Sequence, residues 1–195
     1  MALLLSLLAA LAVLSCCPGG SLACDLPPSH AALSRSNFAL LGEMRRISPF
    51  LCLKDRKDFS FPWEALDGSL LPKAQAVSVL QEMLWETVHL FLSEDSSAAW
   101  NATLLDRLLS GLYRQLQALD ACSVEEVREE DSALSIEASV LAVKSYFQGI
   151  HLYLQEKKYS DCAWEVVRVE IRRCFSLSTL LQERLSTKNG DLGSP

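Results

Sequence analysis

Groups able to attack, ligate or transfer protons are few in these 195 residues, and they are scattered. The three histidines, His30, His89 and His151, stand far apart, and none belongs to an HExxH pair or any other ligand-spaced cluster. GxSxG, P-loop and GxGxxG motifs do not occur. A hydrolase would need convergent polar residues in a cleft, and no spacing brings them together. The sequence therefore points away from an enzyme and implies neither metal nor cofactor. Cys162 with a remote histidine could form a nucleophile pair, but in a secreted chain a disulfide is the simpler role. What remains is chemistry of recognition. Leu51 to Phe59, LCLKDRKDF, mixes apolar residues with alternating charge, and Tyr159 to Leu181 carries the arginines Arg168, Arg172 and Arg173.

Read at a helical period, Trp164, Val167, Ile171, Cys174, Ser178 and Leu181 form an inward stripe. Val169, Arg172, Arg173, Ser176 and Leu177 fall on a second face. One helix then shows the core an apolar side and shows something else a basic one. Asp161 is the expected N-cap. The net charge of −6 gives no general reason to bind nucleic acid or anionic membrane, so this basic face must serve a local contact.

The elements that position these residues follow from punctuation and periodicity. Residues 1–23 open on an apolar run and close on Ser21-Leu22-Ala23, which reads as a signal peptide too short to span a bilayer. No later window suits membrane insertion. Residues 24–185 are of single-domain size, and 186–195 read as a disordered tail. Helices are expected over 30–47, 73–92, 100–121, 135–156 and 161–185. Ser48 to Pro72, broken by Pro49, Pro62, Gly68 and Pro72, is a long crossover loop. Glu125, Glu126, Glu129, Glu130 and Asp131 read as a solvated acidic loop. The expected fold is all-α: a five-helix up-up-down-down bundle of the cytokine kind, with the long crossover after the first helix.

Five cysteines follow the leader: Cys24, Cys52, Cys122, Cys162 and Cys174. An odd count in an oxidising compartment means two bridges and one thiol, and spacing leaves every pairing open. Asn101-Ala102-Thr103 is a glycosylation sequon, which would put the start of the third long helix at the surface.

CAWEVVR followed by FSLST resembles the last helix of the type I interferons, and RRISPFLCLKDRKDF resembles their crossover loop. CDLP at Cys24, SSAAW at Ser96, TLLD at Thr103, SYFQGI at Ser145 and YLQEKKYSDCAWEVVR at Tyr153 extend the likeness over nearly the whole chain after the leader. The tail and the sequon position favour the omega group, with alpha and tau close. The resemblance implies a secreted antiviral cytokine, monomeric, that joins the two chains of the type I interferon receptor. It implies bridges Cys24 to Cys122 and Cys52 to Cys162, leaving Cys174, whose place on the inward stripe favours a buried thiol over intermolecular pairing.

It also implies that Leu53, Arg56, Arg168, Arg172, Arg173 and Leu177 meet the high-affinity receptor chain. Val88, His89, Leu104, Leu109, Tyr113 and Lys144 would meet the second. At Lys144, Ser145 and Leu109 the sequence departs from frequent family residues, and Trp63 and Trp85 stand where relatives are often polar. A competing reading, a secreted helical carrier of an apolar ligand, requires a sizeable cavity inside the bundle.

Overall fold

The computed structural model describes residues 28–63, 66, 71–123 and 130–187, and every regular element among them is helical. Five long helices are α1 (Pro28–Glu43), α2 (Lys73–Leu92), α4 (Ala102–Ser123), α5 (Glu130–Glu156) and α6 (Asp161–Thr187). Two short elements were not expected: a 3₁₀ segment, η1 (Pro49–Asp55), inside the crossover, and α3 (Glu94–Ala99) between α2 and α4. Helix α5 begins ahead of its expected start, so Glu130 and Asp131 belong to the helix and not to the expected acidic loop. The leader, Cys24, residues 124–129 and residues 188–195 lie outside the described residues.

Short polar side chains start α3, α4 and α6 by accepting backbone N–H groups that have no partner within the helix. Ser93 Oγ accepts from the Ser96 amide at 3.2 Å. Asn101 Oδ1 accepts from Thr103 and Leu104 at 3.1 and 3.2 Å, so the exposed sequon asparagine is also the N-cap of α4. At α6 the cap is Ser160, whose Oγ accepts from Ala163 at 3.3 Å. This corrects the expectation for Asp161, which is the first helical residue and pairs instead with Arg46 at 3.3 Å.

Cross-helix contacts fix the directions. Asn37 meets Gln115 and Glu43 meets Arg107, so α1 and α4 run antiparallel. Leu41 meets Arg168 and Ser34 meets Thr179, so α1 and α6 are antiparallel as well. Along α2 and α5, Gln75 faces Ser139 and Glu82 faces Lys144, so these two run parallel. Gln81 of α2 donates to Asp120 near the end of α4, and Phe91 packs on Trp100 just ahead of α4, so α2 and α4 are antiparallel. Helices α1 and α2 thus ascend while α4 and α6 descend, with α5 ascending beside α2. An ascending pair in succession needs an overhand link, which is the length of chain between Glu43 and Lys73.

The interior is filled by Leu41, Leu80, Phe91, Leu108, Leu112, Phe147, Ile150, Leu154 and Ile171, each fully buried. Around Trp164, Phe91 and Trp100 pack with ring centroids 6.3 and 6.0 Å away, which joins α2 and the α3–α4 turn to the last helix. Between α1 and α4 the contact is polar: buried Asn37 donates from Nδ2 to Gln115 Oε1 at 2.6 Å. Gly111 leaves room for it, since a Cβ there would lie 3.0 Å from Asn37 Cγ. Gly111→Ala is expected to lower stability by about 1 to 3 kcal/mol, because a methyl would overpack this buried pair. Urea unfolding measures it, and an unchanged midpoint would show that the pair gives way freely.

Candidate functional site

The crossover is tied to the last helix by a covalent bond and by a series of side-chain contacts. Cys52 of η1 and Cys162 in the first turn of α6 form a disulfide with Cα atoms 5.1 Å apart across 110 residues of sequence. A closure of that length is worth up to about 4 to 5 kcal/mol in the chain-entropy model. Around it, Tyr153 Oη donates to the Asp55 carbonyl at 2.6 Å, and Lys157 pairs with the Asp55 carboxylate at 3.2 Å. Phe59 packs edge-on against Tyr153 and Phe61 against Tyr146, with centroids 5.2 and 5.1 Å apart. Upstream, Arg46 donates to the Ala99 carbonyl and to Asp161. The loop is therefore held by α5, by the α3–α4 turn and by α6 together.

What it displays is apolar and basic. Leu53 is 55% exposed, Phe50 and Leu51 more so, and Arg56 stands open beside them. Facing them on α6 are Val169 and Arg173, both exposed, while the exposed Arg172 points toward α1. An open groove of about 730 Å³ separates the two parts, with Phe50, Leu53, Arg56 and Trp63 on the loop side and Val166, Val169 and Arg173 on the helix side. The adjacent arginines diverge. Arg172 lies 4.1 Å over the Phe38 ring of α1, whereas Arg173 lies 5.4 Å over the Trp63 ring of the loop. Leu177 belongs to the same helix, and its side chain lies outside the described residues.

Two expected contact residues are interior. Arg168 is 3% exposed, donating to both Glu165 oxygens at 2.6 and 2.9 Å and to the Leu41 carbonyl at 2.6 Å. Its guanidinium ties α6 to α1 and is not part of the exposed face. Val88 has no exposed surface and belongs to the core under α2. Both corrections have one physical cause: Arg168 follows Trp164 by four residues and precedes Ile171 by three, and Val88 stands likewise between Leu84 and Phe91, so each falls on an inward stripe.

The other expected positions fall into two groups. His89 and Lys144 border an open groove between α2 and α5, together with Glu82, Trp85 and His151. Lys144 pairs with Glu82 at 3.6 Å, and the half-exposed Trp85 ring lies 4.7 Å from His89. Burial, and then the neighbouring His89, lower the pKa of His151, while burial raises that of Glu82. Leu104, Leu109 and Tyr113 belong to α4; the leucines are partly buried on the core and Tyr113 is exposed.

Beneath the first groove, Tyr146 donates to Glu170 Oε1 at 2.7 Å and lies 3.0 Å from Cys174 Sγ. Burial pushes the Cys174 thiol up to about 12, so it stays protonated and inert at neutral pH. Cys24 and the side chain of Cys122 lie outside the described residues. Tyr146, Phe50 and the groove position of Trp63 escaped the sequence reading. Tyr146 and Trp63 act through contacts with distant segments, and only the FPW run at Phe61 to Trp63, aromatic and apolar in an otherwise charged loop, hints at them.

Comparison with known proteins agrees with this architecture. An interferon alpha/beta domain model matches residues 26–185. The chain is 62% identical to interferon omega-2 of Equus caballus over 195 residues, covering all of both chains. It is 59% identical to interferon omega-1 of Homo sapiens over 194 residues and 55% identical to interferon tau of Cervus elaphus over 195, again covering all of both chains. Among solved structures, zebrafish interferon 2 superposes with a TM-score of 0.63 at 26% identity, covering 78% of this chain and 97% of the other.

Arg168→Ala would leave Glu165 buried and unpaired, so it is expected to cost about 3 to 5 kcal/mol of stability, whereas the exposed Arg172→Ala should change it by less than about 1 kcal/mol. Chemical denaturation of the two variants checks this. Equal and small losses would show that the buried Arg168, with its bonds to Glu165 and the Leu41 carbonyl, does not hold α6 to α1.

Proposed function

The chain belongs to the interferon alpha/beta family, and from that premise we propose that it is a secreted antiviral cytokine that brings together the two chains of the type I interferon receptor. As an interferon it is a signalling cytokine and not an enzyme. Its output is proximity: Janus kinases carried by the two receptor chains phosphorylate each other and then STAT proteins. Residues 1–23 direct secretion, Asn101 carries a glycan, and Cys24 bridges Cys122.

The observation that carries the reading is the display of Leu53 and Arg56 beside Arg173 by the Cys52–Cys162 bond. In this proposal Leu53, Arg56, Arg172, Arg173 and Leu177 meet the tighter receptor chain. Arginine suits the task because its planar fork pairs bidentately with carboxylates, and a leucine beside it supplies a desolvated anchor. Arg168 contributes from within by fixing the helix. The second chain is met across α2, α4 and α5 through His89, Leu104, Leu109, Tyr113 and Lys144, with Val88 as support beneath. A carrier function lacks comparable support, because the inward stripes are closed by fully buried side chains and the two grooves described above open at the surface.

Leu53→Ala and Arg56→Ala are each expected to weaken binding to the tighter receptor ectodomain by at least about 1 kcal/mol, roughly fivefold, while leaving the second chain's affinity in place. Surface-based binding measurements on each ectodomain read this directly. Unchanged affinity in both variants would remove the crossover from the site.

A further inference from the structure

Resting on the receptor reading above, we propose that Trp63 is a positioning residue of the groove: its indole holds the Arg173 guanidinium above the opening, where a partner's carboxylate can meet it. Several observations converge. Pro62 fixes the backbone ahead of Trp63, whose amide donates to the Phe61 carbonyl at 2.8 Å in a tight turn. The indole packs edge-on against Phe61, centroids 5.0 Å apart, and Phe61 in turn packs against Tyr146. The ring is therefore supported from below while remaining 46% exposed. The Arg173 guanidinium stands 5.4 Å from the ring centroid, inside the range in which the negative face of an indole attracts a cation.

On its other side Arg173 has Glu170 at 3.8 Å, and the same carboxylate accepts the Tyr146 hydroxyl at 2.7 Å. Tyr146 thus supports both walls of the slot that holds Arg173, its ring beneath Phe61 and its hydroxyl on Glu170. Five N–H donors cannot be spent on an aromatic face and one loose carboxylate contact, and the side chain is 51% exposed. The remaining donors face the groove. Next to them lie Phe50, Leu53 and Val169, so the segment that fits is one with a carboxylate flanked by an apolar side chain. Without the indole, Arg173 would sweep its rotamers and lose part of its advantage in ordering on contact.

The test uses the full oxidised protein and the tighter receptor ectodomain. Trp63→Ala is expected to weaken binding by about three- to tenfold and Trp63→Phe by less, since a smaller ring keeps a face under the cation. In an Arg173→Ala background, Trp63→Ala should cost almost nothing more. In the unbound protein, relaxation of the Arg173 Nε–H by NMR should show lower order in Trp63→Ala and near-native order in Trp63→Phe. Equal costs of Trp63→Ala with and without Arg173, or unchanged Arg173 order, would overturn the proposal. If the wild-type protein bound neither ectodomain, the receptor reading would fall, and the order measurement would still decide whether Trp63 positions Arg173.

Discussion

The molecule depends most on one long-range constraint, the sulfur bond between Cys52 and Cys162. A crossover joining two ascending helices is obliged by topology to be long, and a long loop in water would sample many arrangements. The bond removes most of that freedom at a single point. Tyr153, Tyr146 and Lys157 remove more by holding Asp55, Phe61 and the chain between them. What topology requires as a connection becomes a surface of defined shape, with leucine and arginine on one wall and the basic face of α6 on the other.

The same helix has to satisfy two environments, and its charges divide between them. Glu165 and Arg168 turn inward as a closed pair that also takes up a carbonyl of α1. Arg172 and Arg173 turn outward, each laid against an aromatic ring. A buried ion pair contributes little net stability compared with apolar packing, but it penalises any arrangement that separates its members. Arg168 therefore reads as a register lock: sliding α6 along α1 would carry its buried guanidinium away from the Leu41 carbonyl. Outward-facing arginines held on rings lose less freedom when a partner arrives, which is the advantage of preorganisation.

Helices were legible because their periodicity is local. Leu105, Leu108, Leu112, Leu116 and Leu119 recur at helical spacing, and all five are buried on α4. The long crossover, the all-helical class and the inward stripe from Trp164 to Cys174 were legible for the same reason. The 3₁₀ segment was not, since its order comes from contacts with Tyr153, about 100 residues on, and from the disulfide. Arg168 and Val88 were misplaced when family roles were carried over without asking which way each helical position points. For both, the i−4 and i+3 neighbours gave the answer in the sequence. Trp63 was noticed as unusual, yet its partner Arg173 lies on another element 110 positions away, and no local pattern connects them.

The central claim is that the bond between η1 and α6 makes one recognition surface from two separate segments. Its most direct measurement is hydrogen exchange together with tighter-chain affinity in the Cys52→Ser/Cys162→Ser variant, compared with the oxidised wild type. The expected result is faster exchange at the amides of residues 49–63, little change in the cores of α2 and α4, and a loss of affinity larger than the loss of either Leu53 or Arg56 alone. Wild-type protection in that loop with full affinity would contradict the account, because the surface would then exist without the link.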